Sequence, residues 1–226
     1  MRRALLWAGA GVFAVSLALA ACQAPGRAER PPDERRALPT PQTAGERSLE
    51  EALAERRSVR EFAPRPLTDA EVGQLLWAAQ GVNRPGGYRT APSAGAFYPL
   101  ELYLVDAAAV WRYNVAEHSL ERWGESDRRA ALCQAALNQE AVCHAPAVFV
   151  FTAVPERTTG KYGQRGLQYI WLEAGHAAQN LLLQAAALGL GAVPIGAFHD
   201  DGLLAALATP PDQIALYLIA VGQPRP

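Results

Sequence analysis

The chain has 226 residues, half of them apolar, which is enough for one well-buried domain plus an N-terminal extension. A formal net charge of −1, without a basic patch carrying interleaved aromatics, excludes a nucleic-acid-binding protein. The four histidines, His118, His144, His176 and His199, lack metal-ligand spacing, so no metal centre is expected.

The first element is an address rather than part of a fold. Arg2 and Arg3 supply a positive start, and Ala4 to Ala21 form an apolar run interrupted only by Gly9, Gly11 and Ser16. Residues 1–21 therefore read as a signal peptide. The run ends in Leu19-Ala20-Ala21-Cys22, which resembles a bacterial lipoprotein box, where small residues admit the peptidase and the thiol receives a diacylglyceryl group. An ordinary signal peptide or membrane helix with a chance cysteine is the competing reading. Acyl chains contribute about 0.8 kcal/mol per buried methylene, so lipidated Cys22 would hold the exported protein on a bacterial membrane, facing the periplasm or the cell exterior. Residues 22–47 are Pro-rich, charged and poor in large apolar side chains, and are expected to be a disordered tether.

The folded domain is expected over residues 48–226. Ser48-Leu49-Glu50-Glu51 is a capping box opening a short helix to about Arg56, and Thr68-Asp69-Ala70-Glu71 opens a second that ends at Gly81. Asn83 to Pro99 is a Gly-, Pro- and Ser-rich loop, long enough to be a binding element. Strands are predicted over Glu101 to Asp106, Val110 to Asn114 and Ser119 to Trp123, then a helix capped by Ser126-Asp127 and running to about Leu137. Ala147 to Ala153 reads as a buried strand, and Leu167 to Leu188 as a long helix apolar on nearly every face, which must be enclosed at a domain centre or against a second subunit. Strands near Ala192 to Phe198 and Ile214 to Val221 complete an α+β domain. Cys133 and Cys143 could pair in an oxidising compartment, although sequence fixes neither their distance nor their direction. Trp77 and Trp171 are read as core, and His176 as a hydrogen-bonded core histidine; Glu173 would pair with it or with a basic residue.

Arg56-Arg57-Ser58-Val59-Arg60 gathers three guanidinium groups and a hydroxyl at the end of a helix, a donor set able to grip a phosphate dianion. A basic cluster that merely complements the helix dipole is the alternative. Several further blocks decide the weight of this one: Leu76-Trp77-Ala78-Ala79-Gln80-Gly81, Arg89 to Glu101, Lys161-Tyr162-Gly163, and Glu173-Ala174-Gly175-His176-Ala177-Ala178-Gln179-Asn180. In this order the set closely resembles nitroreductase-like flavoenzymes, and within them the SagB/ThcOx-type dehydrogenases, over about Ser48 to Pro226.

The resemblance implies a nitroreductase-like fold, with a mainly antiparallel central sheet flanked by helices. It also implies a homodimer holding FMN at its interface, with hydride passing through flavin N5. By position, Arg56, Arg57, Ser58 and Arg60 resemble the phosphate and ribityl contacts, and Arg225 a C-terminal basic contact. Pro92, Ser93, Ala94 and Gly95 resemble the partner chain's loop against the flavin, and Gln179 and Asn180 lie in the cofactor region. Pro194, Ile195 and Gly196 resemble the segment whose backbone approaches the reactive nitrogen, where glycine permits close contact. Lys161 and Tyr162 resemble a pair that removes a proton from an azoline; a surface lysine beside a packed tyrosine is the alternative. The implied substrate is an azoline-like or other exported organic molecule. The other readings are an NAD(P)H-dependent nitro or quinone reductase, and an inactive lipid-anchored flavin- or ligand-binding module.

Overall fold

The computed structural model describes residues 34–124 and 126–225. The predicted signal peptide, Cys22 and the first part of the expected tether lie outside them. Among the described residues no helix is long and apolar enough to cross a membrane.

The chain enters as β1 (Arg35–Ala37), followed by α1 (Leu49–Glu55) and α2 (Asp69–Gln80). Both helices start on capping boxes. The Ser48 and Thr68 side chains accept the N3 amides of Glu51 and Glu71, whose carboxylates accept the cap amides in return. A small hairpin, β2 (Val82–Arg84) and β3 (Tyr88–Arg89), turns on Gly86 and Gly87, both at positive φ. It occupies the first half of what the sequence suggested was an irregular loop. The chain continues through β4 (Leu100–Val105), β5 (Val110–Asn114), β6 (Ser119–Gly124), α3 (Arg129–Ala135), α4 (Glu140–Cys143), β7 (Ala147–Ala153) and α5 (Glu156–Tyr162). It finishes with α6 (Arg165–Ala187), β8 (Gly191–Ile195), α7 (Asp200–Leu207) and β9 (Ile214–Gly222).

Seven strands form one antiparallel sheet in the order β1-β6-β5-β4-β7-β9-β8. Alternation along β4 sends Leu102 and Leu104 to one core and Tyr103 and Val105 to the other. The first core is closed by α2 and α6, the second by α3, α4 and α7. β7 is central and buried along its whole length, which explains its uninterrupted apolar sequence.

The expected tether is corrected at its C-terminal end: Arg35–Ala37, ahead of Ser48, already belong to the sheet. Arg35–Ala37 pair with Ser119–Glu121 of β6, Leu38 donates its amide to His118 O at 3.2 Å, and the Leu38 side chain is buried. β6 would otherwise be a sheet edge with unpaired backbone groups, and a strand can satisfy such an edge without a large apolar side-chain payload. Pro39 and Pro41 follow the strand and so do not interrupt its ladder.

Other readings change. α7 lies between β8 and β9, where the sequence predicts no helix, and α3 starts at Arg129 with the Asp127 carboxylate accepting the Arg129 amide at 3.0 Å. α6 buries one face, through Ile170, Ala174, Ala177, Ala178, Leu181 and Ala185, but leaves Trp171 and Leu172 about half exposed, at 52% and 53%. Trp171 is therefore not core in a single chain, and His176 lies on the same exposed face of α6 instead of in the interior. Trp77 is half-buried, its indole donating to Val82 O at 3.3 Å. Cys133 and Cys143 are joined in a disulfide that ties α3 to α4.

Candidate active site

The segment after α1 runs as an extended rail along the end of the sheet. Val59 donates its amide to Ala192 O at 3.0 Å, Ser58 bridges Ala192 in parallel, and Phe62 bridges Pro224. Gly191 lets the rail lie this close, because a Cβ there would stand 2.7 Å from Val59 Cγ1. The rail presents Arg57, Ser58 and Arg60 to solvent and keeps Arg56 half-buried. Arg225 joins the same edge: its amide donates to Glu61 O at 3.2 Å and its Nε to Phe62 O at 3.0 Å.

The arginines of the described residues divide between those that meet a carboxylate and those that do not. Arg35, Arg36, Arg47, Arg65, Arg112, Arg122, Arg129 and Arg157 each reach a carboxylate. Arg56, Arg57 and Arg60 make no ion pair with a carboxylate among the described residues. Arg56 and Arg57 line a cavity of about 490 Å³ with Arg47, Leu182, Ala192 and Pro224. Arg47 reaches this cavity from the segment expected to be a tether, and it also pairs with Glu55 at the rim.

The rail meets β8 at Gly191 and Ala192, and the strand then carries Pro194 and Ile195 away from it, so the arginine cavity does not include them. Gly196 follows exposed, and a Cβ on it would meet only the Tyr217 ring, at 3.9 Å, so the backbone there faces open space. The next residues are held from behind, with Gln139 Nε2 donating to Ala197 O at 2.8 Å and His199 N to Ala135 O at 2.8 Å.

A second group forms around the loop that precedes β4. Pro92 and Gly95 are exposed and Ser93 and Ala94 half-buried, on a short 3-10 turn over Ala94–Ala96. Lys161 and Tyr162, at the C-terminal end of α5, pack beside this loop. The Lys161 amine stands 5.5 Å from the Phe97 ring centroid and 5.4 Å from that of Tyr162. A Cβ on Gly95 would come within 3.0 Å of the Tyr162 hydroxyl. Lys161 is also the only lysine of the sequence; every other basic side chain apart from the histidines is arginine, which does not deprotonate in proteins.

Gln179 is exposed on α6, whereas Asn180 lines a different cavity, of about 280 Å³, with Ser48, Leu49, Trp77 and Thr90. Asn180 is therefore not placed in the arginine cavity. Beneath the Pro92–Gly95 loop sits a polar cluster that the sequence reading did not assemble. Glu173, 3% exposed, lies within electrostatic reach of Ser93, Arg89 and Gln80, while its Oε1 and the Nε2 of Gln80 are buried without a hydrogen bond. Burial pushes its carboxyl up to about 7, against the opposing pull of the Ser93 hydroxyl and the Arg89 charge. No cluster of metal-ligating side chains occurs among the described residues.

Comparison with known proteins gives this arrangement a family. A protein of Methanocaldococcus jannaschii assigned to the nitroreductases is 45% identical over 159 residues, covering 68% of this chain and 80% of that protein. A crystal structure from Ralstonia eutropha, likewise assigned as a nitroreductase, superposes with a TM-score of 0.78 at 32% identity, covering 90% of this chain and 93% of the other. The NADPH:FMN oxidoreductase of Vibrio harveyi, solved with NAD+, shares the fold at 22% identity and a TM-score of 0.59, with 79% and 69% of the two chains covered. The profile of the nitroreductase family matches residues 53–223, from within α1 to beyond β9, and the chain belongs to that family.

Proposed function

We propose that the protein is an FMN-dependent oxidoreductase acting as a homodimer, of the SagB/ThcOx type. The observation that carries this reading is the run of Arg56, Arg57 and Arg60 without carboxylate partners among the described residues, the first two lining one cavity with Ala192 and Pro224. That donor set suits the FMN phosphate: Arg56, Arg57 and Arg60 supply charge-assisted donors, Ser58 a hydroxyl, and Arg225 a further guanidinium on the same edge. When bound, FMN supplies two-electron chemistry at its ring, which no side chain of this protein can perform. The protein's own part is to hold the ring at Pro194–Gly196 and to cover it with the Pro92–Gly95 loop of a second copy. The exposed Trp171 and Leu172 on α6 offer that copy an apolar strip.

Lys161 is the group suited to take a proton from a substrate lying under that loop, with Tyr162 fixing its place. This assignment favours oxidation of azoline-like or other organic molecules outside the cytoplasm, with oxygen or a quinone as final acceptor, because NAD(P)H is not expected there. The family assignment of the M. jannaschii relative favours a second reading, an NAD(P)H-dependent nitro or quinone reductase. Full-length protein solubilised in detergent is expected to be yellow and to release FMN on denaturation. A colourless protein that takes up no added FMN would sink the proposal. A holoprotein bleached by an azoline peptide but not by NADH supports the dehydrogenase, the opposite pattern the reductase, and a flavin that neither donor nor acceptor can cycle an inactive module.

We place the protein on a membrane through lipidated Cys22. The Cys133–Cys143 disulfide supports an oxidising compartment, since such bonds rarely persist in the cytosol. Cys22→Ser should move the protein from the membrane to the soluble fraction, and unchanged fractionation would contradict the anchor.

A further inference from the structure

Behind the open backbone at Gly196 stands a turn that its own residues do not favour. α3 ends in a left-handed cap, in which Leu137 donates its amide to Gln134 O at 3.0 Å and Asn138 to Cys133 O at 2.9 Å. The left-handed position of such a cap belongs by preference to glycine, yet Leu137 occupies it at φ +59°, and Asn138 follows at φ +55°. Conformations of this kind persist where the surroundings over-determine them. Here the Cys133–Cys143 disulfide closes the turn across α3 and α4, and Cys143 donates its amide to Gln139 O at 3.1 Å.

Gln139, half-buried at the end of the turn, uses both donors of its carboxamide on backbone oxygens. Nε2 donates to Ala136 O at 2.9 Å, within the turn, and to Ala197 O at 2.8 Å, 58 residues away in sequence. A second bond runs beside it, from His199 N to Ala135 O at 2.8 Å. α7 starts on His199 and packs closely on α3, so that a Cβ at Gly202 would stand 3.5 Å from Ala135 Cβ. Residues 197 and 199 are therefore both fastened to the end of α3, on either side of Phe198, which packs against the second core.

We infer that Gln139 is a positioning residue: held by the disulfide-closed turn, its carboxamide fixes the backbone from Gly196 to His199 and so sets where the flavin ring can rest. The inference depends on the flavin reading above only for what lies against that backbone.

The segment needs such a tie because the sheet ends before it. β8 stops at Ile195, whose pairing with Leu218 is the last of the ladder with β9. Gly196 comes next, open to a ligand but with the greatest backbone freedom of any residue. One bond beyond it would leave the segment free to swing about a single point. Two bonds, at Ala197 and His199, fix its direction, and Gln139 makes the one nearer to Gly196.

The test uses the full-length protein with Gln139→Met, which keeps the length of the side chain without its donors, and Gln139→Glu, which sets carboxylate oxygens against the two carbonyls. Hydrogen exchange of the His199 amide is read before FMN is added, and the midpoint potential of the bound flavin afterwards. In Gln139→Met the protection of His199 should fall roughly two- to ten-fold, the contribution of one hydrogen bond, and in Gln139→Glu further. The Val59 amide, bonded to Ala192 O near the other end of β8, should keep the parent's value. The potential should shift by up to about 30 mV, a ten-fold change in relative affinity for reduced and oxidised flavin, because a loosened backbone no longer holds its dipoles against the ring in one orientation.

Parent-like protection of His199 in both variants overturns the tie. An equal fall at Val59 does so as well, since the loss is then global. A yellow variant with a loosened His199 amide and the parent's potential overturns the positioning role. A colourless parent in which Gln139→Met still frees His199 overturns the flavin reading and leaves the tie standing. Should Gln139→Met not fold, Cys133→Ser combined with Cys143→Ser opens the turn from its other side, and unchanged His199 protection in that protein would equally overturn the inference.

Discussion

Replacing Arg57 by alanine should weaken FMN binding roughly 10- to 150-fold, the effect of losing one charge-assisted contact of about 1.5–3 kcal/mol. Fold stability should change by no more than about 0.5 kcal/mol, because the side chain is exposed and pairs with no carboxylate among the described residues. The separation of the two effects is the substance of the prediction. A basic group that served only the α1 dipole would contribute a few tenths of a kcal/mol to the helix and nothing to the cofactor. Arg65→Ala is the matched control: Arg65 already holds Glu71 at 2.7 Å, so its loss should leave FMN affinity unchanged. The checks are a fluorescence titration with FMN and a thermal melt of the apoprotein. Equal FMN affinity in parent and Arg57→Ala would remove the phosphate assignment from the rail.

The parts of the fold legible in the sequence were those whose cause is local. α2 announces itself through Thr68 and Glu71, which cap it, and through the spacing of Val72, Leu75, Leu76 and Ala79, which face the core. β7 is legible because a central strand buried on both sides must be apolar throughout. β1 was not, because its partner is the backbone of β6, and a strand that pairs with a bare edge leaves no hydrophobic signature in its own side chains. α6 reads as enclosed at a domain centre or against a second subunit, and a single copy covers only one of its faces. The arginine rail and the Lys161-Tyr162 pair could be named from their order along the chain. Which residues lie beside them could not. Arg47 reaches the arginine cavity from a segment whose composition suggests no structure, and Glu173 comes within electrostatic reach of Arg89 and Ser93 only because α6 crosses beneath the loop. The signal for Glu173 was present as a carboxylate inside an apolar helix, but its neighbours belong to tertiary structure.

The same carboxylate should make the protein less stable as pH rises from about 5 to about 8. Its folded value, near 7, lies above the usual 4.5, so between those limits the native state keeps a proton that the unfolded chain has released. Stability from this source is complete below about 4.5 and is lost as pH climbs through about 7. The full span corresponds to roughly 3 kcal/mol at 1.36 kcal/mol per pH unit. Asp69, Glu71 and Asp127 have lowered values, caused for Asp69 and Asp127 by the hydrogen bonds of Arg36 and Arg129, and for Glu71 by Arg65 and Thr68 working against desolvation; their contributions are lost only at the acid end, below this window. His118, lowered by burial, acts inside the window with the opposite sign, so the parent's own curve is a sum. Subtracting the curve of Glu173→Gln isolates the one group. At pH 5 the two proteins should denature at similar urea concentrations, and at pH 8 the variant should be the more stable by up to about 3 kcal/mol. Curves that run parallel from pH 5 to pH 8 would show that Glu173 is ionised without penalty where it sits. The charge at Glu173 is thus one the domain carries at a cost, as expected for a carboxylate buried with an oxygen left unpartnered.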